Sequence, residues 1–249
     1  MISKYSSSRT LKDNILLGSI TAFIAGMVNV AAFMIFFSFA SNVTGYYAIL
    51  AAEIVKGNLY EVAVVFAWIF LFFLGSFISN LIIINVANTR TYLAHALPVF
   101  LEIVCIASVG IYGSYFYQET LNETEILLAV LLFAMGLQNG FTASISNFAV
   151  KTTHLTGATT DIAILFSMFT QKQYRDNKEL RGKAILIFSI MVSYVAGAVA
   201  SGFVHGFLGF RLFFLVCLLL LVVALYDGSR IRVLKYLLIE RKKRELVNN

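Results

Sequence analysis

Charge is scarce in this 249-residue chain, where Asp, Glu, Lys and Arg together make up 13%. A soluble domain carries roughly 25% charged residues, so one of this size would have too few to cover its surface. Proline occurs once and cysteine twice. A collagen-like fibre and a disulfide scaffold are therefore excluded. Cys105 and Cys217 each stand alone inside an apolar run. Disorder requires low hydrophobicity, whereas 59% of these residues are hydrophobic. These numbers point to an all-α integral membrane protein.

A helix needs about 20 mainly apolar residues to cross a bilayer. Six runs qualify, at 15–37, 60–86, 94–117, 126–148, 184–204 and 211–226. The first is longer than a signal-peptide core and is followed by no clean small-residue cleavage site, so it reads as a retained helix. Two further stretches, SNVTGYYAILAAEIV at 41–55 and THLTGATTDIAILFSMF at 153–169, are short for a span. Each opens with polar residues and a Thr-Gly pair.

Basic residues mark cytoplasmic segments. They gather in the amino-terminal tail (Lys4, Arg9, Lys12), in the stretch from Lys172 to Lys183 and in the tail from Arg230 to Arg244. The loop 118–125 has three acids and no base, which places it outside. Only an odd number of crossings connects an inner segment to an outer one. Three long runs precede the acidic loop and one separates it from the basic stretch. Neither Thr-Gly segment can then cross, whether it is re-entrant or lies at the interface. Arg90 and Lys151 fall inside, and Lys56 outside is the one violation. Both termini are cytoplasmic.

The halves also resemble each other. Phe23, Gly26 and Asn29 form F-x-x-G-x-x-N, and Phe133, Gly136 and Asn139 repeat it. Each is followed by a Thr-Gly segment and then by a small-x-x-x-small pair, Gly75/Ser79 and Gly197/Ser201. Three crossings per half insert the second half upside down relative to the first, the plan of many transporters. The expected fold is one membrane domain over 1–249. It has six transmembrane helices as two inverted three-helix repeats, at about 15–117 and 126–226, each with a short non-crossing Thr-Gly segment. A basic cytoplasmic tail follows at 227–249. The small-residue pairs can pack internally or in a homodimer.

Polar residues inside apolar runs are the candidates for function. Asn29 and Asn139 sit mid-span, where a buried amide must be bonded. They either line a pathway or glue helices. Gln138 points to a different face from Asn139. In the pairs Thr44-Gly45 and Thr156-Gly157, threonine can cap a short helix and glycine allows positive φ and close backbone approach. The open N–H groups of such ends form a polar site, or else the pairs mark turns at the membrane surface. Asp161 shares the second segment and is expected to bond a serine or threonine there. Glu102 lies about 12 Å into its span at 1.5 Å per residue. An intramembrane acid is a candidate proton carrier or a hydrogen-bonded helix contact. Glu53 is expected to meet solvent.

His95, His154 and His205 have no metal-ligand spacing, and no catalytic or phosphate-binding motif occurs. No metal, cofactor or enzymatic activity is expected. The tail RIRVLKYLLIERKKRELVNN is a basic amphipathic helix suited to the anionic inner leaflet. Its topogenic charge argues against a nucleic-acid partner.

The stretches AGMVNVAAF, NVTG, AMGLQN and THLTGATTDIA resemble the YoaK family of bacterial membrane proteins, the domain of unknown function 1275. The likeness runs from about Leu11 to Tyr226. The family pattern has an acid where Asn29 stands and an asparagine where Tyr46 stands. The resemblance implies a bacterial inner-membrane location and supplies no substrate. The residues themselves support a transporter or channel for a small polar solute, with a site between the repeats. The alternative is a non-transporting scaffold or chaperone-like protein in which the polar residues only join helices.

Overall fold

The computed structural model describes residues 10–87 and 90–225. The basic tail at 227–249 and most of the amino-terminal tail lie outside these. Among the described residues the regular elements are helices: α1 (Leu11–Phe36), α2 (Val43–Lys56), α3 (Leu59–Val86), α4 (Thr91–Tyr115), α5 (Leu121–Ile145), α6 (Leu155–Met168), the one-turn α7 (Lys172–Arg175) and α8 (Lys178–Leu208). A 3-10 turn at Gly209–Arg211 follows, and helix resumes over 212–225.

Local chemistry sets the helix ends. Thr10 with Asp13, and Thr120 with Glu123, form capping boxes at the starts of α1 and α5. Each satisfies two otherwise orphaned donors. Asn42, Asn58 and Asn177 cap α2, α3 and α8. Gly209 (φ 50°, ψ −127°) breaks the last long helix in a backbone region open to glycine. Pro98 remains within α4. It removes one backbone hydrogen bond, a loss that neighbouring helices make tolerable in a membrane.

Five stretches are long and apolar enough to cross a membrane: α1, α3, α4, α5 and the 48-residue stretch Lys178–Leu225. The chain is thus a multi-pass, all-helical protein of membrane type. Its fifth and sixth expected runs fall in that one stretch, on either side of the Gly209–Arg211 turn. Burial distinguishes the helices. The apolar windows of α1 and α5 are 61% and 67% buried, against 22% for α3. The two helices that carry F-x-x-G-x-x-N are therefore central. Outside them α3 shows Phe66, Phe70, Phe73 and Phe77, exposed and in ring contact one after another. Such an apolar face suits lipid.

Each central helix meets a neighbour at backbone distance. A Cβ on Gly26 would lie 2.1 Å from the Tyr194 carbonyl oxygen of α8, and one on Gly197 would lie 1.9 Å from that of Phe23. Between α3 and α5, Gly75 faces the Phe133 carbonyl and Gly136 that of Phe72, each at 2.2 Å. Ser201 Oγ donates to Met27 O and Ser76 Oγ to Gly136 O, both at 2.9 Å. The small-residue pairs are thus used within the chain.

The contacts also give directions. Residue numbers rise together along α1 and α8 (Gly18 by Ile190, Met27 by Ser201) and along α3 and α5 (Tyr60 by Asn122, Asn80 by Ser144). They run oppositely along α4 and α5 (His95 by Phe141, Tyr112 by Glu123) and along α4 and 212–225 (Gly110 by Phe213, Ile103 by Cys217). The carboxyl end of α1 meets the amino end of α5 through Tyr117, whose ring touches Phe36 and whose hydroxyl bonds Thr124.

Candidate functional site

The amino ends of α2 and α6 open into one cavity of about 300 Å³. Its polar lining comes from both halves. Asn29, Ser41 and Thr44 stand on one side, and Thr153 and Thr156 on the other. Phe39, Phe72 and Tyr194 supply aromatic wall. Among the described residues no Asp, Glu, Lys or Arg lines it, and His154 is the one basic side chain there.

Two mid-helix asparagines hold the approaches. Asn29 is 1% exposed. Its Nδ2 donates to Ala25 O at 2.9 Å and to Ser41 Oγ at 2.8 Å, and Ser41 Oγ lies 3.0 Å from Asn29 Oδ1. Asn139 donates to Met135 O at 2.8 Å and accepts from Thr153 Oγ1 at 3.0 Å and Thr152 Oγ1 at 3.3 Å. Each amide thus bonds one turn back on its own helix and ties down the chain entering a Thr-Gly helix. A buried amide made in this way leaves little polar cost unpaid.

The Thr-Gly pairs work differently from the expectation. Asn42, not Thr44, is the N-cap of α2, and its Oδ1 accepts from Gly45 N at 3.2 Å. His154 holds the same position on α6, with no side-chain cap bond. Gly45 and Gly157 are not among the positive-φ residues. Their smallness makes room for the cap side chain instead. A Cβ on Gly45 would meet Asn42 Nδ2 at 2.5 Å, and one on Gly157 would meet His154 Nδ1 at 2.8 Å. Thr44 and Thr156 lie in the first turns and line the cavity.

Of the expected residues, Asn29, Thr44 and Thr156 line the cavity. Asn139, Gly45 and Gly157 support its walls. Asp161 lies elsewhere and pairs with Lys183 at 3.4 Å in place of a serine or threonine, because the middle of α6 packs on α8. Glu102 does not line the cavity and is buried in α4. Glu53 bonds Lys56 at 2.6 Å and Asn58 at 3.2 Å, and the Lys56 ammonium holds its carboxyl below the usual range. Sequence reasoning missed Phe72, Tyr194, Asn42 and His154. The two aromatics each stand three residues before the close-packed glycine of their helix, and the two caps each stand two before the threonine.

No curated protein and no solved structure matches the chain. One family model does, over residues 17–226, and its description is protein of unknown function, DUF1275.

Proposed function

The chain belongs to this DUF1275 family, whose description names no activity, and from the site itself we propose a transporter or channel for a small polar solute. The observation that carries the reading is the cavity at the amino ends of α2 and α6, lined by matched residues of the two halves. Asn29 with Ser41 corresponds to Asn139 with Thr153. Thr44 corresponds to Thr156, and Phe72 to Tyr194. A cavity of this volume falls at the lower end of small-ligand sites.

In this reading the chain crosses the membrane six times, as two inverted three-helix repeats. The helix directions support it: α1, α4 and α8 run one way, and α3, α5 and 212–225 the other. The 14-residue helices α2 and α6 reach about 21 Å at 1.5 Å per residue, short of the roughly 30 Å core. Lys12, Arg90 and Lys178 share one end of the bundle, which is the cytoplasmic end by the positive-inside rule. Both termini lie there, and the membrane is the bacterial inner membrane. The reading includes no chemical step.

The test uses the full chain in liposomes. Entry of a panel of small polyols, amides and short carboxylates is followed by light scattering after an osmotic step. The expected result is protein-dependent entry of at least one solute, reduced in Thr44→Ala, Thr156→Ala and Asn139→Ala. Entry unchanged in all three removes the site. If no solute enters and the substitutions alter only thermal stability, the scaffold reading holds.

A further inference from the structure

The outer face of α8 forms a single stripe. Ile185, Phe188, Val192, Val195, Val199 and Phe203 are all exposed. Successive members lie three or four residues apart, so they share one side of the helix. The other side, with Gly197 and Ser201, is buried against α1. The fold leaves the stripe bare.

Towards the amino end of α8 the same stripe turns cationic. Arg181 stands four residues before Ile185 and Lys178 seven before it, and both are exposed. At 3.6 residues per turn, both lie within about 60° of the stripe's midline. Glu179 lies about 150° away round the helix. Lys183 is also on the far side, where it pairs with Asp161. Neither Lys178 nor Arg181 has an ion-pair partner among the described residues. The exposed face of α3 differs. At the same end of the bundle its phenylalanines give way to Leu81, Ile84 and the uncharged Asn85. On α4 a single cation, Arg90, stands at that end. Among the described residues, two cations in register with an apolar stripe occur on α8 alone.

The dimensions match one lipid leaflet. From Ile185 to Val195 is about 15 Å at 1.5 Å per residue, half of the roughly 30 Å hydrocarbon core. Arg181 lies about 6 Å beyond Ile185, at the depth of the headgroup layer. Lys178 lies about 10 Å beyond it, a difference that a lysine stem spans. An arginine and a lysine without an acid beside them suit a phosphate group. A zwitterionic headgroup carries its own ammonium, which cancels part of that attraction. A headgroup with net negative charge does not.

We propose that the α8 face from Lys178 to Val195 binds an anionic phospholipid. Its phosphate sits on Lys178 and Arg181, and an acyl chain lies along Ile185, Phe188, Val192 and Val195. The inference rests on the membrane character of the helices and is independent of the solute cavity.

Fluorescence quenching in vesicles tests this without reference to any solute. Phe188→Trp puts a reporter on the stripe, and Phe77→Trp puts one on α3 for comparison. The chain's one tryptophan, Trp68, is a background common to both. Full-chain protein in phosphatidylcholine vesicles receives either phosphatidylglycerol or phosphatidylcholine brominated on the acyl chains. The Phe188→Trp reporter should be quenched at a smaller fraction of phosphatidylglycerol than of phosphatidylcholine, by a factor on the order of ten for two surface cations. The Phe77→Trp reporter should respond equally to both lipids. Adding Lys178→Gln and Arg181→Gln should remove the preference, whereas Lys183→Gln should leave it. Quenching by brominated phosphatidylcholine that is unchanged in the double variant shows that it is still inserted and folded. Equal quenching of the Phe188→Trp reporter by the two lipids overturns the proposal. So does a preference that survives the double substitution or recurs at Phe77→Trp. A Phe188→Trp reporter that neither lipid quenches overturns it as well, and gives the face to a second copy of the chain.

Discussion

The two short helices that meet at the cavity are anchored at opposite ends. In α2 the fixed end is the one beside the cavity. Asn42 caps it, and Tyr46 is buried in its first turn, with its ring against Trp68 and its hydroxyl donating to the Phe39 carbonyl. In α6 the capping position holds His154 without a cap bond, and the buried residues, Ile162 and Leu165, lie in the second half. There α6 rests on α8, and Asp161 reaches Lys183. Two segments that begin with the same signature therefore give the cavity one wall fixed at its edge and another fixed farther off. The Asn139 bonds to Thr152 and Thr153 are what hold the edge of the second wall.

The largest effect should come from breaking the frame that both segments share. Gly26→Val and Gly136→Val each force a side chain into a carbonyl about 2 Å from the new Cβ. Each should cost about 3 kcal/mol by overpacking, read as a large and similar fall in thermal midpoint in detergent. Unequal losses would show that the two helix crossings are not equivalent. Next comes the pair of amides. Asn29→Ala should cost about 2 kcal/mol, because it removes a buried amide and leaves the half-buried Ser41 without that partner. Asn139→Ala should cost less, since Asn139 is only partly buried.

The caps give a smaller and more discriminating contrast. Asn42→Ala should lose about 1 kcal/mol, while His154→Ala should change stability little and His154→Asn should raise it. Equal losses from the two alanine variants would mean that His154 caps α6 after all. Smallest is Asp161→Asn. Its ion pair is about half exposed, and such pairs contribute roughly 0.2–1 kcal/mol. A larger fall in midpoint would give α6 a firmer anchor than its packing provides.

Composition and run length were enough to identify the solvent and the helices, because lipid demands long apolar stretches with few charges. The convergence of Asn29, Thr44 and Thr156 was less accessible, since it depends on how α1, α3, α5 and α8 pack. Thr-Gly marked the right places for a different reason from the expected one. The glycine relieves contact with a cap side chain, which only the coordinates reveal. Phe72 could not be distinguished in a run of phenylalanines, most of which face outward. Asp161 looked like part of the site because it shares a segment with Thr156, but a separation of five residues, about 1.4 turns, carries it to another face. The interruption between the last two runs was legible in the sequence, and the structure places it at the Gly209–Arg211 turn.

The close glycine contacts also have a consequence for how the chain is assembled. Ser76 finds its acceptor 60 residues later, whereas Met27 must wait 174 residues for Ser201. During synthesis α3 and α5 can pair as soon as α5 has emerged. The small-residue face of α1 stays uncovered until almost the whole chain has been made. Contacts of such long range form late, and a chain truncated before α8 would leave its first helix without the partner its glycine is cut to fit.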